Sequence, residues 1–146
     1  GTLCRSPSAM SVPFLSHDAG VASDGWAEPE GRGVVGWQTL ISGDITPTEA
    51  LTAGIAVFEP GGFLALHRHE PAEMYFILEG TGIVTLDGVD NLVKPGDCVF
   101  IPPMAEHGVR NLEVGALRFL YVFPTNSFAD VAYQFSQAKG TSPEPA

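Results

Sequence analysis

From about residue 33 onward, apolar and polar residues alternate in short runs, and the runs are separated by glycine, proline and acidic turn residues. Alternation with a period of two is the mark of strands that turn one face inward, so the pattern predicts β-structure rather than helix. Strands are expected near residues 34–41, 52–58, 63–69, 72–78, 82–86, 89–93, 98–101, 106–110 and 117–123. Asp87-Gly88 between two of them is a two-residue hairpin turn. Glu59-Pro60-Gly61-Gly62 and Lys94-Pro95-Gly96-Asp97 read as tight turns in which glycine supplies a positive φ. No internal repeat is present, so one barrel is expected and not a duplicated pair.

Outside this region the rhythm is lost. Residues 1–30 are rich in Ser, Pro, Ala and Gly and read as an irregular lead-in, and residues 136–146 as a mobile tail. The organisation expected is an N-terminal arm over 1–32, an all-β barrel over 33–124, and a segment over 125–146 that closes the barrel and ends in the tail. A length of 146 residues with 45% hydrophobic content suits one domain with a real core, and 17 glycines and 12 prolines argue against a helix bundle. An edge-rich barrel with a long lead-in is compatible with a strand-sharing homodimer.

Charge narrows the partners. A net charge of −10 argues against nucleic acid and anionic membrane surfaces as partners, since both require basic patches. No apolar run approaches the roughly 18 residues of a membrane span, and residues 1–12 lack the apolar core of a secretory signal. Cys4 in the lead-in and Cys98 within an expected strand read as two free thiols of a reducing cytoplasm.

The chemistry concentrates in two segments. One is Gly61-x5-His67-x-His69-x3-Glu73-x6-Gly80, the other Gly96-x5-Pro102-x4-His107-x3-Asn111. Three of the four histidines fall in this frame, and His17 stands apart in the lead-in as a solvated residue. Residues two apart on a strand share a face, so Ala65, His67 and His69 look one way, as do Glu73, Tyr75 and Ile77, and His107 with Val109. Curling three such strands into a small barrel would bring three imidazoles and one carboxylate together as metal ligands. That donor set suits Fe2+ or Mn2+, and also accepts Ni2+, Zn2+ or Co2+. On a six-coordinate ion it leaves about two positions for water or a guest. Asn111 is expected to fix a turn beside the His107 strand.

These two motifs resemble the signature of the cupin superfamily, the only departure being Met104 where that family usually has Gly. The resemblance implies a double-stranded β-helix, or jelly-roll, barrel over about residues 33–124, often dimeric. A narrower likeness follows from the run Ala53–Gly62, from His67 to Tyr75, from Ala105-Glu106-His107, from Gly36–Ile41, and from the ending Phe119–Tyr133. There the chain is similar to the small single-domain cupin dimethylsulfoniopropionate lyases. In that family a metal binds the substrate carboxylate and a tyrosine removes the adjacent proton. Dimethyl sulfide then leaves and acrylate remains. Carried over, the ligands are His67, His69, Glu73 and His107, and the tyrosines Tyr75 and Tyr133.

A free phenol has a pKa near ~10, about three units too high for a base at neutral pH, or about 4 kcal/mol. A neighbouring divalent cation can offset that by favouring phenolate. The sulfonium end of a zwitterionic substrate needs aromatic faces; Trp37 and Tyr121 are the expected contacts, with Phe119 and Phe123 further candidates. Two other readings use the same frame: an iron dioxygenase, and a small-molecule-binding cupin without enzymatic activity.

Overall fold

A computed structural model describes residues 11–137 of the chain. Its strands are β1 (Asp24–Glu28), β2 (Gly33–Ile41), β3 (Thr52–Phe58), β4 (Phe63–Arg68), β5 (Glu73–Glu79), β6 (Gly82–Leu86), β7 (Val89–Val93), β8 (Cys98–Ile101), β9 (His107–Arg110), β10 (Leu117–Phe123) and β11 (Gln134–Phe135). All pairings are antiparallel, in the order β7-β6-β9-β4-β2-β3-β10-β5-β8, with β1 added to β2 and β11 added to β4. No α-helix occurs among the described residues, only single 3-10 turns at Asp18–Gly20 and Phe128–Asp130.

The sheet curls because its strands have one wet face and one dry face. In β10, Leu117, Phe119, Tyr121 and Phe123 are buried while Arg118, Leu120 and Val122 are only half covered. Tyr75 and Ile77 of β5 and Ile101 of β8 turn inward in the same way. Together with Phe58, Val84, Val109 and Val131 they form one continuous core. Burying such a face in water-free packing is the main favourable term for a chain of this kind.

The expected strands are found, five of them with unchanged limits (52–58, 82–86, 89–93, 98–101 and 117–123) and four with ends moved by one residue. Two more lie where irregular chain was expected. Asp24-Gly25-Trp26-Ala27-Glu28 inside the lead-in buries only Trp26, so it lacks any alternation to read, yet it pairs along β2 from Asp24↔Trp37 to Glu28↔Gly33. Gln134–Phe135 is two residues long and takes its pairing wholly from β4, with Phe135 opposite His67. Cys98 is exposed at the start of edge strand β8 and makes no disulfide; Cys4 and the tail beyond residue 137 lie outside the described residues.

Turns behave as their residues demand. Asp87 and Gly88 both have positive φ (47° and 83°), the mirror-image turn whose twist matches that of its strands. In the two Pro-Gly turns, Gly62 N–H donates to Glu59 O at 2.8 Å and Asp97 N–H to Lys94 O at 3.0 Å. Asn111 joins the two motifs: its N–H donates to Gly62 O, and Gly61 N–H donates to Asn111 O, each at 2.9 Å. The Asn111 amide, fully buried, donates to Phe58 O at 2.8 Å and Gly115 O at 2.9 Å.

Met104 adopts φ 65° while its N–H donates to His69 O at 2.8 Å. This left-handed conformation costs a side-chain-bearing residue roughly 1–2 kcal/mol. Glycine removes that cost but adds about 0.4–1 kcal/mol of chain entropy in the unfolded state. Met104→Gly is therefore expected to stabilise the protein by about 0.5 kcal/mol, read as a higher urea midpoint at unchanged slope.

Candidate metal centre and its cavity

Strand register assembles the site. His107 on β9 lies directly opposite His67 on β4, and Glu73 opens β5 after the turn that carries His69. All four side chains are buried. One ring nitrogen from each of His67, His69 and His107 comes within 4.8 Å of the others. Glu73 Oε1 sits 3.2 Å from His69 Nε2 and 3.4 Å from His107 Nε2.

The orientation of the rings follows from their outer nitrogens. His67 Nδ1 is 2.7 Å from Ala65 O, His69 Nδ1 2.9 Å from Pro71 O, and His107 Nδ1 2.9 Å from Ala105 O. A carbonyl oxygen only accepts, so each Nδ1 carries the proton and each Nε2 presents its lone pair. His67 Nε2 and His107 Nε2 are buried with no hydrogen-bond partner. Burial holds His67 well below the ordinary imidazole range, and the neighbouring His107 pushes it the same way against the Ala65 carbonyl. Neutral imidazoles with backbone-anchored Nδ1 are the form that ligates metals. Adjacent ligands on an ion bound at about 2.1 Å lie about 3.0–3.4 Å apart, which matches the Glu73 contacts. The donor set therefore fits one divalent transition metal.

Beside this cluster is a cavity of about 40 Å³. At roughly 10–15 Å³ per water it has room for about three waters, so a larger guest must displace side chains of the wall. Glu73 is its one acidic lining residue; Tyr75, Tyr121, Tyr133, Trp26, Trp37, Phe58, Phe119 and Phe128 make most of the rest. Tyr75, Tyr133, Trp37 and Tyr121, expected as functional residues, thus share one cavity. Phe119 lines it too, stacked on Tyr75 at 4.1 Å, whereas Phe123 is not in the lining and packs edge-on to His69 at 5.3 Å. Tyr133 stacks on His67 at 4.8 Å with only 19° between the planes. His17 is exposed on the surface, where its Nδ1 accepts from Ala19 N–H.

The lining also contains residues that strand periodicity did not single out: Trp26 on β1 and Phe128 on the 3-10 turn after β10. Their only sequence signal is an aromatic residue in an otherwise polar stretch.

Burial raises the phenols of Tyr75 and Tyr133 well above the usual tyrosine range, and the Glu73 carboxylate adds to both shifts. Tyr121 is raised as well, chiefly by burial, with the Thr39 side chain opposing in part. Its hydroxyl is accommodated because position 54, its cross-strand partner on β3, is glycine. A methyl group there would overlap the Tyr121 hydroxyl and crowd Gln38 O.

Comparison with known proteins completes the picture. The dimethylsulfoniopropionate lyase DddW of Ruegeria pomeroyi is 45% identical over 136 residues, covering 92% of this chain and 88% of that protein. The family described as "Cupin domain" matches residues 54–123. The chain belongs to the cupin family. Solved cupin-fold structures agree with its architecture. A predicted oxalate decarboxylase from Thermotoga maritima superposes with a TM-score of 0.68 at 26% identity, over 77% of this cupin and 99% of that chain. A structure described under the DMSP lyases RdDddP and RnDddQII gives 0.65 at 24% identity, over 80% and 63% respectively, and at that identity bears on the fold alone.

The raised Tyr121 phenol makes a pH prediction. It stays neutral in the folded cupin while its unfolded counterpart ionises near pH 10. Its contribution is whole below about pH 10 and declines as pH rises further. Between pH 10 and 11 the unfolding free energy of wild type should fall by about 1 kcal/mol more than that of Tyr121→Phe, as read from denaturant unfolding at the two pH values.

Proposed function

We propose that this cupin is a metal-dependent dimethylsulfoniopropionate lyase that eliminates dimethyl sulfide and leaves acrylate. The observation that carries the reading is the 45% identity to DddW over 92% of the chain, well beyond the two ligand motifs. The site supports it chemically, since a cluster of three imidazoles able to hold a cation lies beside an aromatic, nearly uncharged cavity, with Glu73 lining the cavity and touching His69 and His107.

His67, His69, Glu73 and His107 would hold the metal. A divalent cation there would supply positive charge for the guest's carboxylate, for charge developing on it, and for the ionised form of adjacent phenols. Tyr75, two residues after Glu73 on β5, serves as the base. Its oxygen accepts the proton from the carbon next to the carboxylate, the released electron pair becomes the new C=C bond, and the C–S bond breaks with its electrons on sulfur. Tyr133, fixed by stacking on His67, is the second phenol at the reacting end. Trp37 and Tyr121 present their rings to the sulfonium, which aromatic faces attract more strongly where water is excluded.

Both phenols are raised by burial and by Glu73, so proton abstraction depends on the ligand cluster being intact. Protein reconstituted with iron, manganese, nickel, cobalt or zinc and given dimethylsulfoniopropionate anaerobically should release dimethyl sulfide into the headspace. Silence with all five metals would end the lyase reading, while turnover only in oxygen would favour a dioxygenase. Tyr75→Phe should keep stoichiometric metal by elemental analysis and lose at least about a hundredfold in kcat, within the usual range for a general base. His107→Ala should lose both metal and turnover.

A further inference from the structure

Among the described residues, four buried side-chain polar atoms have no hydrogen-bond partner: His67 Nε2, His107 Nε2, Tyr121 Oη and Trp26 Nε1. The two imidazole nitrogens are explained by the metal site, and the Tyr121 hydroxyl lies beside the Thr39 side chain, which partly offsets the effect of burial on it. Trp26 has no such explanation. Its side chain is 8% exposed and lines the same cavity as Glu73 and Tyr75.

An indole N–H can only donate, and a buried donor without an acceptor is rare in folded proteins. Nor can this ring swing out to find water. The Arg32 guanidinium lies over it at 4.1 Å, and Arg32 is itself forked onto Glu28 by Nε–Oε1 and Nη2–Oε2 contacts of 2.9 and 2.5 Å. Trp37 meets the ring edge-on at 5.3 Å, and Phe135 packs at 5.9 Å. The wall's other polar side chains are Glu73, Tyr75, Tyr121 and Tyr133, whose oxygens could accept, but none of them lies within hydrogen-bonding reach of the indole nitrogen. The donor is left for an acceptor that a guest brings.

We propose that Trp26 is a further substrate-binding residue, donating Nε1–H to a carboxylate oxygen of a small guest held against the metal cluster. A carboxylate has two oxygens and about four lone-pair directions, so one oxygen can face a cation while the other accepts from the indole. A neutral thioether or a bare sulfonium offers no comparable acceptor, so the indole selects for the acid end of the guest. β1 is on this view part of the site: its pairing with β2 carries Trp26 into the wall. The guest's identity as dimethylsulfoniopropionate rests on the lyase reading; the donor role does not.

The test is the indole N–H resonance of Trp26 in zinc-loaded protein, told apart from that of Trp37 by a Trp37→Phe sample. Saturating acrylate, and dimethylsulfoniopropionate at low temperature, should each move the Trp26 signal downfield and slow its exchange with solvent. Dimethyl sulfide alone should not. Trp26→Phe, which keeps an aromatic ring but removes the donor, should weaken acrylate binding and raise KM about tenfold with kcat within a factor of two, as expected for a lost hydrogen bond to a charged group. A Trp26 signal that stays put while acrylate saturates the protein overturns the proposal, and so does an unchanged KM in a folded Trp26→Phe protein. Cleavage with an unmoved Trp26 signal would remove the donor role and keep the lyase. An acrylate-induced shift without cleavage would keep the donor role and remove the lyase.

Discussion

Three short hydrogen bonds from imidazole to backbone govern the chemistry available to this protein. In His67 and His107 the acceptor is the carbonyl two residues back, and in His69 it is the carbonyl two residues on. Each bond ties a ring to its own strand or turn, so ring orientation is set by backbone geometry and not by packing alone. The same bonds place the proton on Nδ1 and leave Nε2 bare inside a dry interior. Lone pairs confined there are costly to leave unpaired, so the folded barrel is primed for an ion that can accept them. A free imidazole would have to give up water and a choice of tautomer before it could ligate. Here folding has already made both choices.

The cavity next to the cluster sets up the opposite condition. Its walls are rings, and its one acid, Glu73, is drawn toward His69 and His107. In such surroundings a neutral phenol is favoured over a phenolate, which is the direction in which Tyr75, Tyr121 and Tyr133 are all displaced. A poor solvent for charge is nonetheless a strong medium for Coulombic attraction. Cation–anion and cation–ring contacts gain in such a medium what they would lose to screening in water. The low-polarity wall and the cation cluster therefore depend on each other: without the second, the first only suppresses acidity.

The convergence of the imidazoles and Glu73 is legible in the sequence, and the reason is periodicity. His67, Glu73, Tyr75 and His107 sit on strands whose alternation fixes which way each side chain faces, so their convergence followed once the strands were placed. The turns were legible because Pro-Gly and Asp-Gly have few conformations open to them. Trp26 and Phe128 were not legible, for different reasons. β1 buries a single residue, so alternation has nothing to register, and its existence depends on the free edge that β2 offers. Phe128 lies on a one-turn 3-10 segment, where no sequence period specifies direction. The raised phenols were also invisible: adjacency to a ligand suggests an acidic tyrosine, whereas burial and the Glu73 charge act the other way.

The N-terminal lead-in bears on why so small a barrel can hold a reactive interior. Trp26 forms part of the cavity wall, and Arg32 covers its outer side with a guanidinium that stays charged at any physiological pH. Glu28 lies at the far end of the same strand, and its carboxyl is held down at about 2 by Arg32. The fork across the β1–β2 turn thus persists under conditions that would protonate ordinary carboxylates. Because Arg32 is only about a quarter exposed on its side chain, the pair lies against the ring instead of extending into water. Its contribution is then less to global stability, where half-exposed ion pairs count for little, than to the position of one indole. A strand that buries a single aromatic residue, and whose Glu28 holds Arg32 over that ring, is better explained by the cavity it walls than by the core it adds to.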